Sequence, residues 1–136
     1  MERIGRYQIE SQIGQGAMGI VYRALDPAIG RTVAIKTIRM GDIADPAERE
    51  RMRNRLLHEA RSAGTLSHPG IVTVYDVGEH DDTAYIAMEY VNGPPLEKVL
   101  NLAEPPAPAL LFRVLRETAA ALDYAHKKGI VHRDIK

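Results

Sequence analysis

The sequence predicts an α+β fold in which a five-stranded antiparallel sheet carries one helix and is followed by a helical segment. Apolar and polar residues alternate through the first forty residues, which is the pattern of half-buried strands. Apolar residues recur at helical spacing after residue 45 and again after residue 95. Because turns rich in glycine or proline separate these stretches, each stretch is predicted to form an element of its own.

Three strands are predicted within the alternating stretch, at residues 7–13, 20–25 and 32–38. Glycine-bearing turns at residues 14–19 and 27–30 connect them. Neighbouring strands joined by such short turns run antiparallel, so the three strands are predicted to form a meander.

One helix is predicted to interrupt the run of strands. Asp45 can cap its first turn, Pro46 suits the first helical position, and the helix is predicted to end near Gly64. Its apolar face consists of Met52, Leu56, Ala60 and Ala63. The arginines lie mostly on the other faces and are interpreted as solvated surface; they are Arg49, Arg51, Arg53 and Arg55.

Two further strands, at residues 71–77 and 84–90, complete the predicted five-stranded sheet, with a polar turn at residues 79–82 between them. Beyond the sheet, a short helix is predicted over residues 96–102 and a long helix over residues 109–128. The long helix has a broad apolar face, so we expect it to be packed on several sides, by partners that lie largely outside this segment.

Composition excludes several classes of function. The 136 residues include 18 basic and 18 acidic side chains, so nothing indicates general attraction to nucleic acid or to an anionic membrane. The chain has no cysteine, and its five histidines show no metal-ligand spacing, so no metal site is expected within it. There is no apolar run near the length of a membrane span and no signal peptide. We therefore expect a soluble, cytoplasmic chain.

A glycine-rich pattern, G-x-G-x-x-G, lies between the first two predicted strands at Gly14, Gly16 and Gly19. Glycines allow a tight loop whose backbone N–H groups can approach phosphates closely. The pattern alone also fits a dinucleotide-binding fingerprint or a plain turn. The dinucleotide interpretation requires a helix that opens at the third glycine, whereas residues 19–24 are predicted to be a strand.

Lys36 is the lysine most in need of an explanation. In a strand it shares a face with Ala34 and Ile38, and a lysine on an apolar face is costly unless it is paired. Glu59 lies beside the apolar stripe of the first helix, where taken alone it would be one of several surface glutamates. The alternative is an edge lysine whose ammonium group reaches water.

The chain ends with His132-Arg133-Asp134-Ile135-Lys136, which taken alone would be a solvated charge cluster. Together with the other patterns, however, it resembles the protein kinase family. In kinases, G-x-G-x-x-G-x-V, V-A-I-K, a helix glutamate and H-R-D occur in this order. Residues 71–79 are similar to the eukaryotic-like Ser/Thr kinases of bacteria.

This resemblance implies a protein-kinase-like fold and ATP-dependent phosphorylation of serine or threonine on a protein substrate. The glycine loop and Lys36 would hold the phosphates, and Glu59 would align Lys36. Asp134 would accept the proton of the substrate hydroxyl, and Lys136 would offset developing charge. The nucleotide-binding residues that it implies are Ile13, Gly14, Gln15, Gly16, Ala17, Met18, Gly19, Val21, Ala34, Lys36, Met88, Glu89 and Val91.

The resemblance also implies a division into two lobes. Residues 7–92 would form the N-lobe with the hinge, and residues 93–136 would form the start of the C-lobe up to the catalytic loop. The cofactors implied are ATP and Mg²⁺, with the protein ligands of Mg²⁺ expected beyond residue 136. We therefore expect the isolated segment to be inactive, and either to self-associate or to be poorly folded in its second half. The alternative function is a non-catalytic nucleotide-binding or protein-binding module, either a pseudokinase or a truncated product.

Overall fold

The computed structural model describes residues 2–16, 19–102 and 104–131. The chain forms two compact units, one of Met1–Thr65 with Val72–Tyr90 and one of Leu66–Ile71 with Val91–Lys136. The division into lobes at residue 92 stays a prediction.

The first unit is built on an antiparallel sheet of six strands, in the order β1-β2-β3-β4-β6-β5. The strands are β1 (Arg3–Ile4), β2 (Tyr7–Gly16), β3 (Gly19–Asp26), β4 (Arg31–Arg39), β5 (Val74–His80) and β6 (Thr83–Glu89).

The prediction of five strands was one strand short, because β1 precedes them. Gly5, at φ +57°, turns the chain so that Ile4 pairs with Tyr7. A Cβ on Gly5 would lie 2.7 Å from the Tyr85 hydroxyl oxygen, so a larger residue at this positive φ would be strained and would force the buried Tyr85 side chain to shift. A strand of two residues is too short to show alternation, and for that reason the sequence pattern missed it.

The hairpin of β5 and β6 is also shifted from its prediction. β5 starts at Val74 rather than residue 71 and extends to His80, which leaves a two-residue turn. Asp81 and Asp82 form it with φ of +45° and +61°. Positive φ at both central residues is the geometry that two-residue hairpins favour, and aspartate tolerates it better than most residues.

The sheet has an apolar core on each face. The first core consists of Ile4, Tyr7, Ala24, Val33, Ile35, Tyr85 and Ala87. The second core joins the sheet to the helix α1 (Pro46–Gly64) through Ile38, Met40, Leu56, Ala60, Ala84 and Ile86. The predicted cap of α1 is present, since the Asp45 side chain accepts a hydrogen bond from the Ala47 N–H at 3.0 Å.

The second unit contains α2 (Leu96–Leu100) and α3 (Pro108–Lys127), close to their predicted bounds. In α3 the buried residues are Ala121 and Ala125. Tyr124 accepts a hydrogen bond from the Ser67 N–H at 3.0 Å and so ties the segment before β5 to α3. Phe112 and Leu115 are 74% and 68% exposed. Within the part of the chain that the structure describes, these two side chains of the broad apolar face of α3 are therefore left uncovered.

Candidate active site

Lys36 lies in the middle of β4, between its cross-strand partners Val21 on β3 and Ile86 on β6. Directly paired residues share a face of a sheet, and Ile86 packs in the core under α1. Lys36 therefore points to the face that α1 covers, as the sequence predicted.

The expected partner of Lys36 is in place. Its Nζ donates to Oε1 of Glu59 on α1 at 2.8 Å. The two side chains are 34% and 49% exposed, and ion pairs this exposed contribute little to stability, on the order of 1 kcal/mol or less. The pair therefore adds little to the stability of the fold.

The glycine-rich segment forms the hairpin of β2 and β3, with Gly14 paired to Val21 and Gly16 paired to Gly19. A strand follows the third glycine, so the dinucleotide-binding interpretation, which requires a helix there, is excluded. A Cβ on Gly19 would lie 1.7 Å from the carbonyl oxygen of Thr37. Gly19 thus lets the hairpin lie directly against β4, the strand that carries Lys36.

Thr37, which the sequence interpretation did not single out, reinforces this contact. It is buried on the face opposite Lys36, and its hydroxyl donates to the Ile20 carbonyl oxygen at 2.9 Å. The turn end of the hairpin is therefore bonded to β4 by a side chain as well as by the strand ladder.

The apolar residues proposed to surround the adenine lie close to Lys36 in the sheet. Ala34 is two residues before it on the same strand and pairs with Met88 on β6. Val21 lies directly across from Lys36, so these three apolar side chains share the face of Lys36. Ile13, on β2, is 47% exposed. Their role in nucleotide binding stays a prediction.

Glu89 ends β6 and is held by two hydrogen bonds to one residue. Its N–H donates to the Thr73 carbonyl oxygen at 2.8 Å, and its carboxylate accepts from the Thr73 N–H at 3.1 Å. This exchange fixes the backbone at the place where the sequence predicts contact with the adenine edge. Val91, the other predicted contact, lies after the strand and is exposed.

Four predicted site residues, Ala17, Met18, Asp134 and Lys136, lie outside the described residues. Within residues 2–16, 19–102 and 104–131, no group of three or more His, Asp or Glu could hold a metal ion. Among the helices of that same part of the chain, none is long and apolar enough to cross a membrane.

The arginines of α1 are only partly the solvated surface that the sequence predicted. Arg53 donates from Nη1 to Glu50 at 2.6 Å and from Nε to Glu79 on β5. The spacing of three residues could have indicated the pair with Glu50. Glu79 is 26 residues away, and only the packing of α1 on the sheet brings it to Arg53.

Comparisons with known proteins agree with this geometry. The family model described as protein kinase domain matches residues 7–136. The chain is 43% identical over 132 residues to the serine/threonine-protein kinase PrkC of Bacillus subtilis, a match that covers 97% of the chain and 20% of PrkC. It is 41% identical to the serine/threonine-protein kinase PknA of Mycobacterium tuberculosis, with 97% of the chain and 31% of PknA covered.

Solved structures show the same fold. The apo form of PpkA-294 superposes with a TM-score of 0.85 at 30% identity, covering 99% of this chain and 53% of that one. The Mycobacterium tuberculosis PknI kinase domain gives a TM-score of 0.75 at 31% identity, covering 99% and 54%. The chain thus spans about half of these solved structures and less than a third of PrkC or PknA.

Proposed function

We propose, from the premise that the chain belongs to the protein kinase domain family, that the protein containing it transfers the γ-phosphoryl group of ATP to serine or threonine hydroxyls of proteins. The names of the relatives PrkC and PknA support this specificity. No observation favours the non-catalytic alternative. The proposed compartment is the cytoplasm, which supplies ATP.

The observation that carries the proposal is the ion pair between Lys36 and Glu59, at 2.8 Å. An ammonium group held by a carboxylate keeps a fixed position, and a fixed positive charge can orient the α- and β-phosphates of ATP. The glycine hairpin lies on the neighbouring strand pair, where its backbone N–H groups can meet the same phosphates.

The sheet also has apolar side chains that can contact the adenine of ATP. Val21, Ala34 and Met88 share the face of Lys36 and would contact the adenine ring, while backbone groups of Glu89 and Val91 would bond its edge. The chemistry of the described residues therefore fits a nucleotide whose phosphates lie toward Lys36.

Transfer itself would depend on the end of the chain. The substrate hydroxyl would lose its proton to Asp134 as its oxygen bonds to the γ-phosphorus, and ADP would leave. Lys136 would offset the charge that develops on the transferring group. Mg²⁺, when bound, would neutralise phosphate charge, and its ligands are assigned to residues beyond Lys136.

The test is phosphate transfer from ATP to a generic Ser/Thr acceptor protein by the full-length protein. Lys36→Met removes the charge that orients the phosphates, so we expect transfer to fall by about 10² or more. Lys127→Met is the matched control, because Lys127 is exposed on α3 and, among the described residues, pairs with Asp123 one turn earlier on the same helix. Transfer by Lys36→Met at the rate of the control would overturn the proposal.

A further inference from the structure

Two ion pairs join α1 to the sheet, and they reach different strands. Glu59 binds Lys36 on β4, and Arg53 binds Glu79 on β5. In the sheet, β6 lies between β4 and β5. The two ion pairs are therefore about 10 Å apart across the sheet. They are six residues apart on the helix, which corresponds to about 9 Å along its axis.

The apolar contact between α1 and the sheet, which lies between the two ion pairs, does not fix the orientation of the helix by itself. Leu56, which lies midway between Arg53 and Glu59, is 2% exposed in the core under α1. Burial of apolar surface is non-directional, so a small rotation or shift of α1 changes its energy little. Hydrogen-bonded ion pairs depend on distance and angle, and two of them on different strands define one orientation.

Arg53 is suited to this task by its planar guanidinium. Nε donates to Glu79 on β5, while Nη1 donates to Glu50 one turn earlier on α1. The hydrogen bond to Glu79 is the largest cause of the raised pKa of Arg53, and Glu50 contributes less. Glu50 holds the guanidinium in place on its own helix, and Glu79 connects it to the sheet.

We propose that Arg53 and Glu79 are positioning residues that hold α1 over β5 so that Glu59 stays within hydrogen-bonding distance of Lys36. Neither residue is among those proposed to contact the nucleotide. Their effect on catalysis rests on the proposed function, but their effect on α1 does not.

The first experiment measures α1 directly, by amide hydrogen exchange in the full-length protein. We expect Arg53→Met and Glu79→Ala to speed exchange over residues 53–60 by about three- to fivefold, the scale of one exposed ion pair. Glu50→Ala is the matched control, because it removes the other partner of Arg53 and leaves the ion pair with Glu79 on β5 intact. Unchanged exchange in Glu79→Ala, or an equal increase in Glu50→Ala, would overturn the proposal.

The second experiment tests whether the ion pair between Arg53 and Glu79 affects phosphate transfer through Glu59. We expect Arg53→Met and Glu79→Ala each to lower kcat for phosphate transfer by about three- to fivefold, with the acceptor KM unchanged. In a Glu59→Gln background the same changes should lower kcat no further, because the pair they position is already broken. A full further loss in that background would show that Arg53 does not act through Glu59.

The two experiments separate the two proposals. If the wild-type protein transfers no phosphate, the proposed function fails, and hydrogen exchange alone decides whether Arg53 and Glu79 hold α1. If transfer is present but exchange over residues 53–60 is the same in all variants, the positioning role fails and the proposed function stands.

Discussion

Lys36 and Glu59 are the two described residues on which the proposed chemistry depends most. The strand places Lys36 on the face under α1, and the helix brings Glu59 to it at 2.8 Å. Neither side chain is deeply buried, so both can respond to a bound phosphate. The Lys36 ammonium group, held by Glu59, is thus a positive charge on the strand next to the glycine hairpin.

Asp134 is the residue whose removal should affect turnover most selectively. Asp134→Asn cannot accept the hydroxyl proton, so we expect kcat to fall by about 10² to 10⁴ while ATP binding persists. Asp123→Asn, on the exposed side of α3, is the control. Steady-state kinetics and ATP titration of the full-length protein would measure both quantities. A near-normal kcat for Asp134→Asn would contradict its assignment as the base.

Tyr7 should make stability depend on alkaline pH. Burial, and after it the nearby carboxylate of Asp76, raises the pKa of Tyr7 to about 12. The unfolded value is about 10, so the folded state holds this proton more tightly. Its contribution, on the order of 2 kcal/mol, is complete below pH 10 and lost as pH rises toward 12.

The variant that tests this is Tyr7→Phe, which has no proton to lose. We expect it to be less stable by about 1 kcal/mol at neutral pH, since the hydrogen bond to Asp76 is gone. Its free energy of unfolding should then fall less steeply than that of wild type between pH 10 and 12. Urea unfolding across that range gives both slopes, and parallel slopes would assign the alkaline loss to other groups.

Local periodicity predicted where single residues lie in their elements, but it did not identify residue pairs. Strand alternation predicted the face of Lys36 and helical spacing the side of Glu59, and their pairing could be anticipated only with the resemblance to protein kinases. The bond between Arg53 and Glu79 could not, because it depends on the register of β5 and on how α1 crosses it. Thr37 was missed for the same reason, since its partner, the Ile20 carbonyl oxygen, lies across the strand ladder.

At the scale of elements, α1 connects the chemistry to the core. The cap by Asp45 starts it, and Leu56 and Ala60 bury its inner face against the sheet. The helix also supplies Glu59, so the position of α1 on the sheet determines whether Glu59 can reach Lys36.

Leu56 should be the most sensitive position of this helix for stability. Leu56→Ala leaves a cavity in a core that includes Ile38 and Ile86, so we expect a loss of about 2–5 kcal/mol. Leu57→Ala, at the next and partly exposed position, should cost less. Denaturant unfolding of both variants is the measurement. Equal losses would show that the inner face of α1 is not where its stability lies.

Elements long enough to show a period were predicted well, and those defined by turns were not. α1 and α3 begin and end within about one residue of their predicted bounds. β1 has two residues and rests on the geometry of Gly5, and the start of β5 depends on the two-aspartate turn at its other end. Turn geometry of this kind is set by backbone angles that hydrophobic patterning does not encode.

For the whole molecule, the two units differ in how much apolar surface they cover. The sheet unit has a core on each face, whereas Phe112 and Leu115 on α3 are largely exposed. Large exposed apolar side chains on one helix favour association with other surfaces. The broad apolar face of the predicted long helix indicated this difference. The sequence did not indicate which residues of that face would be covered.

The isolated 136-residue chain should therefore self-associate. We expect sedimentation velocity to show species larger than a monomer whose share grows with concentration. Phe112→Ser should reduce that share, and Arg116→Ser, on the same helix, should not. A monomer at all concentrations would mean that these side chains are covered within the chain.

We propose that this chain contains the phosphate-holding half of a Ser/Thr kinase site. Phosphoamino acid analysis tests this, on an acceptor protein incubated with the full-length protein and ATP labelled at the γ-phosphate. We expect label on serine or threonine and none on tyrosine, with label lost in Lys36→Met and kept in Lys127→Met. Label that persists in Lys36→Met, or that appears on tyrosine alone, would contradict it.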